Sequence, residues 1–170
     1  MRELTDAERS ALGPACERLP AEGVVLHRSP GDALRALVLL FSGDRAVTLG
    51  RHVFLPSRCD GDLALLAHEL THCRQYREWG PLRYYARGAV EQGRHLLSRL
   101  GLAKNPYDWR SVAQRRFDDY GMEQQGQIVE DAFRGDPSAR AIVAANVSTS
   151  SSVVSNDAIQ RTSDRSSFHT

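Results

Sequence analysis

The fold of this 170-residue chain is decided by residues 62–79, which read DLALLAHELTHCRQYREW. Apolar and small side chains recur in this stretch at the three- and four-residue spacing of an amphipathic helix: Leu63, Leu66, Ala67, Leu70 and Cys73. Asp60 or Asp62 can cap the start of the helix. Gly80-Pro81 ends it, because glycine takes the left-handed cap position and proline cannot continue the hydrogen-bond ladder. The stretch therefore predicts one well-delimited helix.

This helix carries the pattern His-Glu-x-x-His at His68, Glu69 and His72. Four residues advance a helix by about 400°, so the imidazoles of His68 and His72 project from nearly the same face and can bind one metal ion. Glu69 is offset around the helix, so its carboxylate can contact a water at the metal instead of the metal itself. The pattern predicts a zinc site with Glu69 as general base. The alternative is a solvated helix face with two histidines, since chance gives the pattern in roughly one such chain in a hundred.

Periodicity predicts the remaining elements of a mixed fold. Start and stop signals indicate helices in three further segments: residues 5–16, 82–100 and 121–133. Alternating apolar and polar side chains predict strands at residues 23–27 and 46–55. Arg51 interrupts the second strand, as an edge strand permits. The pattern does not decide whether the apolar segment 33–41 is a helix or a strand. We expect an α+β fold in which a small twisted sheet packs on the motif helix and further helices.

Composition separates one domain from a tail. The chain is long enough for one domain with a core but too short for two. From Ser148 onward it is rich in Ser, Thr, Asn and Asp and has little to bury. We therefore expect a single domain over residues 1–137 and a Ser-rich, flexible tail over residues 138–170.

Charge and hydropathy exclude several classes of protein. The net charge is only +1, and the basic residues between Arg74 and Arg116 have the helical spacing of a solvated face, so no nucleic-acid partner is expected. No apolar run is long enough to span a membrane. No signal peptide is visible after Met1, which predicts a cytoplasmic protein with reduced cysteines, and delivery by a specialised secretion system remains open.

The segment LLAHELTHCRQ at residues 65–75 resembles the signature of bacterial zincin-like domains of unknown function, some of them Vgr-related or found near contractile injection systems. The similarity extends to VVLH at 24–27, AVTLGRHVF at 46–54 and YGMEQQG at 120–126, and so covers most of residues 1–135. It implies a minimal zincin-like core and a zinc metallopeptidase that cleaves a peptide or protein substrate. Cys73 stands where valine is more usual, and the tail has no counterpart.

A third zinc ligand must come from later in the chain, because a catalytic zinc usually has three protein ligands and a water. The candidates are Glu91, His95, Glu123 and Glu130. Glu91 lies at a spacing close to that of thermolysin-like gluzincins, but its neighbours indicate an exposed helix. Glu123-Gln124-Gln125-Gly126 resembles the Glu-x-x-small pattern that supplies the zinc-binding glutamate in several short zincins. The resemblance favours Glu123, and Glu91, Glu130 or a histidine remain alternatives.

Two functions remain open at this point. In the first, the strand at residues 46–55 forms the edge of a cleft and pairs with an extended peptide substrate. Tyr107 or Tyr120 could then supply a hydroxyl to a developing oxyanion, although each is also a plausible core aromatic. In the second, zinc stabilises a non-catalytic binding or accessory module of a contractile injection system. Glu69 favours the enzyme, because a structural site does not need a base there.

Overall fold

The computed structural model describes residues 1–13, 19, 22–28, 31–112 and 115–145, and within these ranges the fold is α+β, as predicted. Three short strands form one sheet: β1 Val25–His27, β2 Val47–Leu49 and β3 His52–Phe54. Four helices are α1 Asp6–Leu12, α2 Ala33–Ser42, α3 Leu63–Arg99 and α4 Met122–Phe133. A further helix covers residues 137–145.

The sheet has the strand order β1-β3-β2, with β1 parallel and β2 antiparallel to β3. The prediction of one strand over residues 46–55 is wrong, because a two-residue turn at Gly50 and Arg51 divides it into β2 and β3. Gly50 has a φ of 64°, and a Cβ there would lie 3.2 Å from the ring of Tyr76. Both facts favour glycine at the turn. β2 is nevertheless an edge of the sheet.

Helix α3 contains the motif and consists of two arms that meet at Gly80, whose φ of 74° and ψ of 164° are not helical. The predicted start is confirmed, since the Asp62 carboxylate accepts a hydrogen bond from the Leu65 backbone N–H at 3.0 Å. The predicted break at Gly80-Pro81 is confirmed as well. The first arm is largely buried, whereas the second arm, all of which is described, is mostly exposed and buries two side chains, Tyr84 and Glu91.

The apolar segment at residues 33–41, whose type the sequence did not decide, is helix α2. The Asp32 carboxylate caps it by accepting a hydrogen bond from the Arg35 backbone N–H at 3.1 Å, and Gly43 ends it in the left-handed conformation.

Helix α1 begins at the predicted capping box, in which the side chains of Thr5 and Glu8 each bond the other's backbone N–H. The predicted end near Cys16 is wrong for the α-helix. It ends at Leu12, because Gly13 adopts a φ of 59°. Cys16 itself lies outside the described residues.

One hydrophobic core joins the sheet to the helices. Fully buried members come from the strands, α3 and α4: Leu26, Val53, Leu66, Leu70 and Ile128. Packing continues past the expected boundary at residue 137, since Ala139 is buried in the same core. The boundary between domain and tail stays a prediction, and residues 146–170 lie outside the described part of the chain.

Two of the cysteines are free thiols, as predicted: Cys59 and Cys73. Burial raises the pKa of the Cys73 thiol to about 12, so this side chain acts as a small apolar core residue. Among the described residues, no helix combines the length and the apolar character that crossing a membrane requires.

Candidate metal centre

The structure brings together the three side chains that the sequence favours as metal ligands. Helix α3 supplies His68 and His72, and helix α4 supplies Glu123; one donor atom from each lies within 4.8 Å of the others. Glu123 Oε2 is 3.7 Å from His68 Nε2 and 3.5 Å from His72 Nε2. Tetrahedral zinc with ligands at about 2.0–2.1 Å places them about 3.4 Å apart. The spacing and the chemistry of the donors therefore fit one zinc ion.

Close approach of α4 to α3 depends on Gly126. A Cβ at this position would lie 2.7 Å from His68 Nε2 and 2.9 Å from two ring carbons, which is well inside van der Waals contact. Because Gly126 has no side chain, the His68 imidazole can occupy this space. Glu123 lies one helical turn before Gly126, so the imidazole comes to lie beside it. This contact gives a physical reason for the Glu-x-x-small pattern.

Substitution of Gly126 with alanine is expected to displace the His68 imidazole and weaken zinc binding by about 10- to 100-fold, the range typical of changes to groups that orient metal ligands. A zinc titration against a competing chelator measures this. Gly93→Ala is the matched control, because a Cβ at Gly93 on the exposed arm of α3 would have no neighbour within 4 Å. Equal zinc affinity in the two variants would contradict the steric argument.

Each imidazole has an oxygen partner at its other nitrogen. Glu130 Oε2 lies 3.1 Å from His68 Nδ1, and Gln75 Oε1 lies 2.8 Å from His72 Nδ1. Donation from Nδ1–H to these oxygens leaves the lone pair of each Nε2 available on the side of Glu123. Metal-binding histidines usually have such a partner, which fixes the tautomer and the ring orientation.

The electrostatics of the centre favour a cation between the three side chains. Burial opposes a positive charge on His68, but the carboxylates of Glu123 and Glu130 outweigh burial and raise the pKa of His68 to about 10. Burial also opposes charge on His72, and the Glu123 carboxylate raises its pKa. Although burial favours the neutral acid, the two imidazoles hold the pKa of Glu123 well below its usual range. A metal ion would replace the protons that these groups otherwise share.

Glu69 lies in the same cavity but outside this group of three donors. The Thr48 hydroxyl donates a hydrogen bond to Glu69 Oε2 at 2.7 Å, and the glutamate side chain is buried. The helical offset predicted for Glu69 thus directs its carboxylate to strand β2. Contact with Thr48 fixes the orientation of the carboxylate.

The three donors open into a cavity of about 620 Å³. Its other walls come from α2, β2, the second arm of α3 and the loop before α4, and include Phe41, Arg45, Leu49, Tyr85 and Tyr107. Among the described residues, three donors converge rather than four. Three protein donors beside an open cavity are typical of catalytic zinc sites, whereas structural sites are usually closed by four.

Other candidates from the sequence lie elsewhere. Glu91 is buried but lines a separate cavity, with its carboxylate 3.5 Å from Arg94. His95 packs its ring edge-on against Tyr107 at a centroid distance of 5.7 Å. Of the two tyrosines considered for an oxyanion, Tyr107 lines the metal cavity, and Tyr120 belongs to the core. Glu130 contacts His68 Nδ1 and does not join the group of three.

Residues 32–80 match the family model of the eCIS core domain. The name denotes the core of extracellular contractile injection systems. No curated protein and no solved structure matches the chain. The eCIS core match runs from the cap of α2 to the end of the first arm of α3, so it contains both histidines and Glu69 but not Glu123. It supports the association with contractile injection systems that the resemblance implied.

Two residues of the centre were missed at the level of sequence, and both lie within the eCIS core match. Thr48 is the one polar residue of strand β2, whose sequence is VTL, and this was the available signal. Gln75 lies three residues after His72 and therefore on the same face of the helix. Its amide also donates to Gln125 Oε1 at 3.0 Å and to the Met122 carbonyl at 3.1 Å, so it connects α3 to α4.

Proposed function

We propose that this protein is a zinc-binding component associated with a contractile injection system, in which His68, His72 and Glu123 hold the metal. The observation that carries the proposal is the convergence of three buried donors, with Nε2–Oε2 distances of 3.5 and 3.7 Å. Oxygen partners at both Nδ1 atoms add support. The eCIS core match supports the association, because it includes both histidines.

Zinc reconstitution tests this proposal directly. The wild-type chain is expected to bind one zinc ion and to melt at a higher temperature with zinc than after chelation, because a ligand of the native state stabilises it. His68→Ala should lose both the metal and the shift in melting temperature. His95→Ala is the control, since His95 packs against Tyr107 outside the centre. Absence of zinc from reconstituted wild type, measured by elemental analysis, would refute the proposal.

Peptide hydrolysis is the second candidate function, and the position of Glu69 in the cavity of the three donors favours it. When bound, zinc would polarise a peptide carbonyl and lower the pKa of a water molecule to about 7. Glu69 would accept the proton from this water and pass it to the leaving amine. The Thr48 hydroxyl, 2.7 Å from Glu69 Oε2, would keep the carboxylate in one orientation during both transfers.

Strand β2 would hold the substrate. It is an edge of the sheet and lines the metal cavity, so an extended peptide could pair with it through main-chain hydrogen bonds. In a non-catalytic module, the same cavity would bind a peptide without cleaving it, and zinc would only stabilise the packing of α4 on α3. The two functions differ in the need for an ionised Glu69.

A further inference from the structure

In the part of the chain that the structure describes, one arginine in the wall of the metal cavity has no acidic partner. Arg45 and Arg58 both line the cavity. Arg58 forms an ion pair with Asp44. Among the described residues, no carboxylate oxygen lies within the 4.0 Å of an ion pair from the Arg45 guanidinium. Arg45 is also exposed, so its charge is available to a ligand in the cavity.

Contacts at both ends hold Arg45 in place. The Ser42 hydroxyl donates a hydrogen bond to the Arg45 carbonyl oxygen at 3.0 Å and accepts one from the Arg45 backbone N–H at 3.3 Å. At the other end, Arg45 Nη2 donates to the Tyr107 hydroxyl at 2.7 Å. The Tyr107 ring in turn packs near the rings of His95 and His68, at centroid distances of 5.7 and 6.4 Å. The guanidinium is therefore positioned beside the metal centre by a tyrosine that packs near one of its ligands.

Arg45 also lies two residues before the edge strand β2. A peptide that pairs with β2 would pass the guanidinium as it enters or leaves the cavity. Besides the N–H directed at Tyr107, the guanidinium has further N–H donors, enough to bind a carboxylate through two parallel hydrogen bonds. A positive charge placed in this way selects an anionic group of the peptide.

We propose that Arg45 is a specificity-determining residue, which binds a carboxylate of the peptide that occupies the metal cavity. This inference rests on the proposed function, because it names the ligand of the same site. The carboxylate is either an Asp or Glu side chain or the C-terminus of the peptide. Both sources share the geometry that a guanidinium recognises, and matched peptides distinguish them.

The test measures binding rather than cleavage. Zinc-loaded Glu69→Gln protein is titrated by fluorescence anisotropy with fluorescein-labelled decapeptides of Ala and Ser. In one series the C-terminus is amidated and a single Glu stands at successive positions. A second series has Gln in place of Glu and is the neutral reference. A further peptide has Gln and a free C-terminal carboxylate, and it is compared with its amidated counterpart. We expect one acidic form to bind about 10-fold more tightly than its neutral counterpart, the size of one charge-assisted hydrogen-bond pair.

Variants in the same background attribute this preference to Arg45. Arg45→Gln should bind acidic and neutral peptides equally, and Tyr107→Phe should reduce the preference, because the guanidinium loses its contact. Arg58→Gln is the matched control and should retain the preference, since its charge is already paired with Asp44. Equal affinities for all peptides, or a preference that survives Arg45→Gln, would overturn the inference.

Zinc content measured in the same samples separates this inference from the proposed function. If zinc binds and the preference is absent, Arg45 does not select the ligand and the metal centre stands. If the chain binds no zinc, the proposed function fails. The comparison of acidic and neutral peptides on chelator-treated protein then still decides the role of Arg45.

Discussion

Replacing Glu69 with glutamine is expected to lower the rate of zinc-dependent peptide hydrolysis by about 100- to 10,000-fold, the usual loss when a general base is removed. Zinc should stay bound, because Glu69 is not one of the three converging donors. Glutamine keeps the volume of the side chain and an oxygen that can accept the Thr48 hydrogen bond, but it cannot take up a proton. The measurement is kcat/KM on a peptide library, with the zinc content of each sample.

Glu78→Gln is the matched control for this experiment. It makes the same chemical change on the first arm of α3, at an exposed carboxylate paired with Arg74 at 2.6 Å, and should leave the rate unchanged. If wild type and Glu69→Gln cleave a peptide equally well, the proposed mechanism is wrong. If wild type cleaves no peptide while chelation unfolds the chain, the proposal of a peptidase is replaced by that of a non-catalytic module of an injection system.

A second large effect is expected from Glu123→Gln, which should weaken zinc binding by more than about 100-fold. The substitution replaces the anionic donor, whose oxygen lies 3.5 and 3.7 Å from the two imidazole nitrogens, by a neutral and weaker one. The same change at Glu130 should cost only about 10- to 100-fold, because Glu130 contacts His68 Nδ1 and in the proposed site would orient the ring without binding the metal. Chelator competition on both variants compares the two directly.

The order of these two effects tests which glutamate is the ligand. A greater loss of affinity in Glu130→Gln than in Glu123→Gln would assign the metal to Glu130. Melting temperatures recorded with and without zinc provide a second measurement, because a weakened ligand reduces the stabilisation by zinc. If the variant and wild type melt at the same temperature after both are treated with chelator, the substitution acts on metal binding and not on the packing of α4.

The motif helix was predictable because its signals are local. Asp62 at the start and Gly80-Pro81 at the end act on the backbone within one turn, and the spacing of His68 and His72 follows from helical geometry alone. Glu123 was harder to assign, because its distance from the histidines depends on how α4 packs on α3. The preference for Glu123 over Glu91, Glu130 or a histidine relied on a resemblance, and the contact of Gly126 with His68 gives a physical reason for the pattern that carries it.

The errors arose where tertiary contacts or backbone angles decide the structure. Alternation continues across Gly50, so the pattern predicts one strand, whereas a positive φ and the ring of Tyr76 on α3 produce a turn there. The hydrogen bond from Thr48 to Glu69 likewise joins strand β2 to helix α3, so it depends on how the two elements pack. Gln75 is different, because it follows His72 by three residues, and the helical spacing used for the histidines would have placed it beside them.

The separation of the proposed metal ligands along the chain also has a consequence for folding. Glu123 lies 51 positions after His72, so a zinc ion bound by both would close a loop of about that length. A cross-link over such a loop removes conformational entropy from the unfolded chain worth about 4 kcal/mol in the chain-entropy treatment of disulfides. A newly made chain could not bind the metal fully until α4 docks on α3. Metal uptake would therefore report completion of folding.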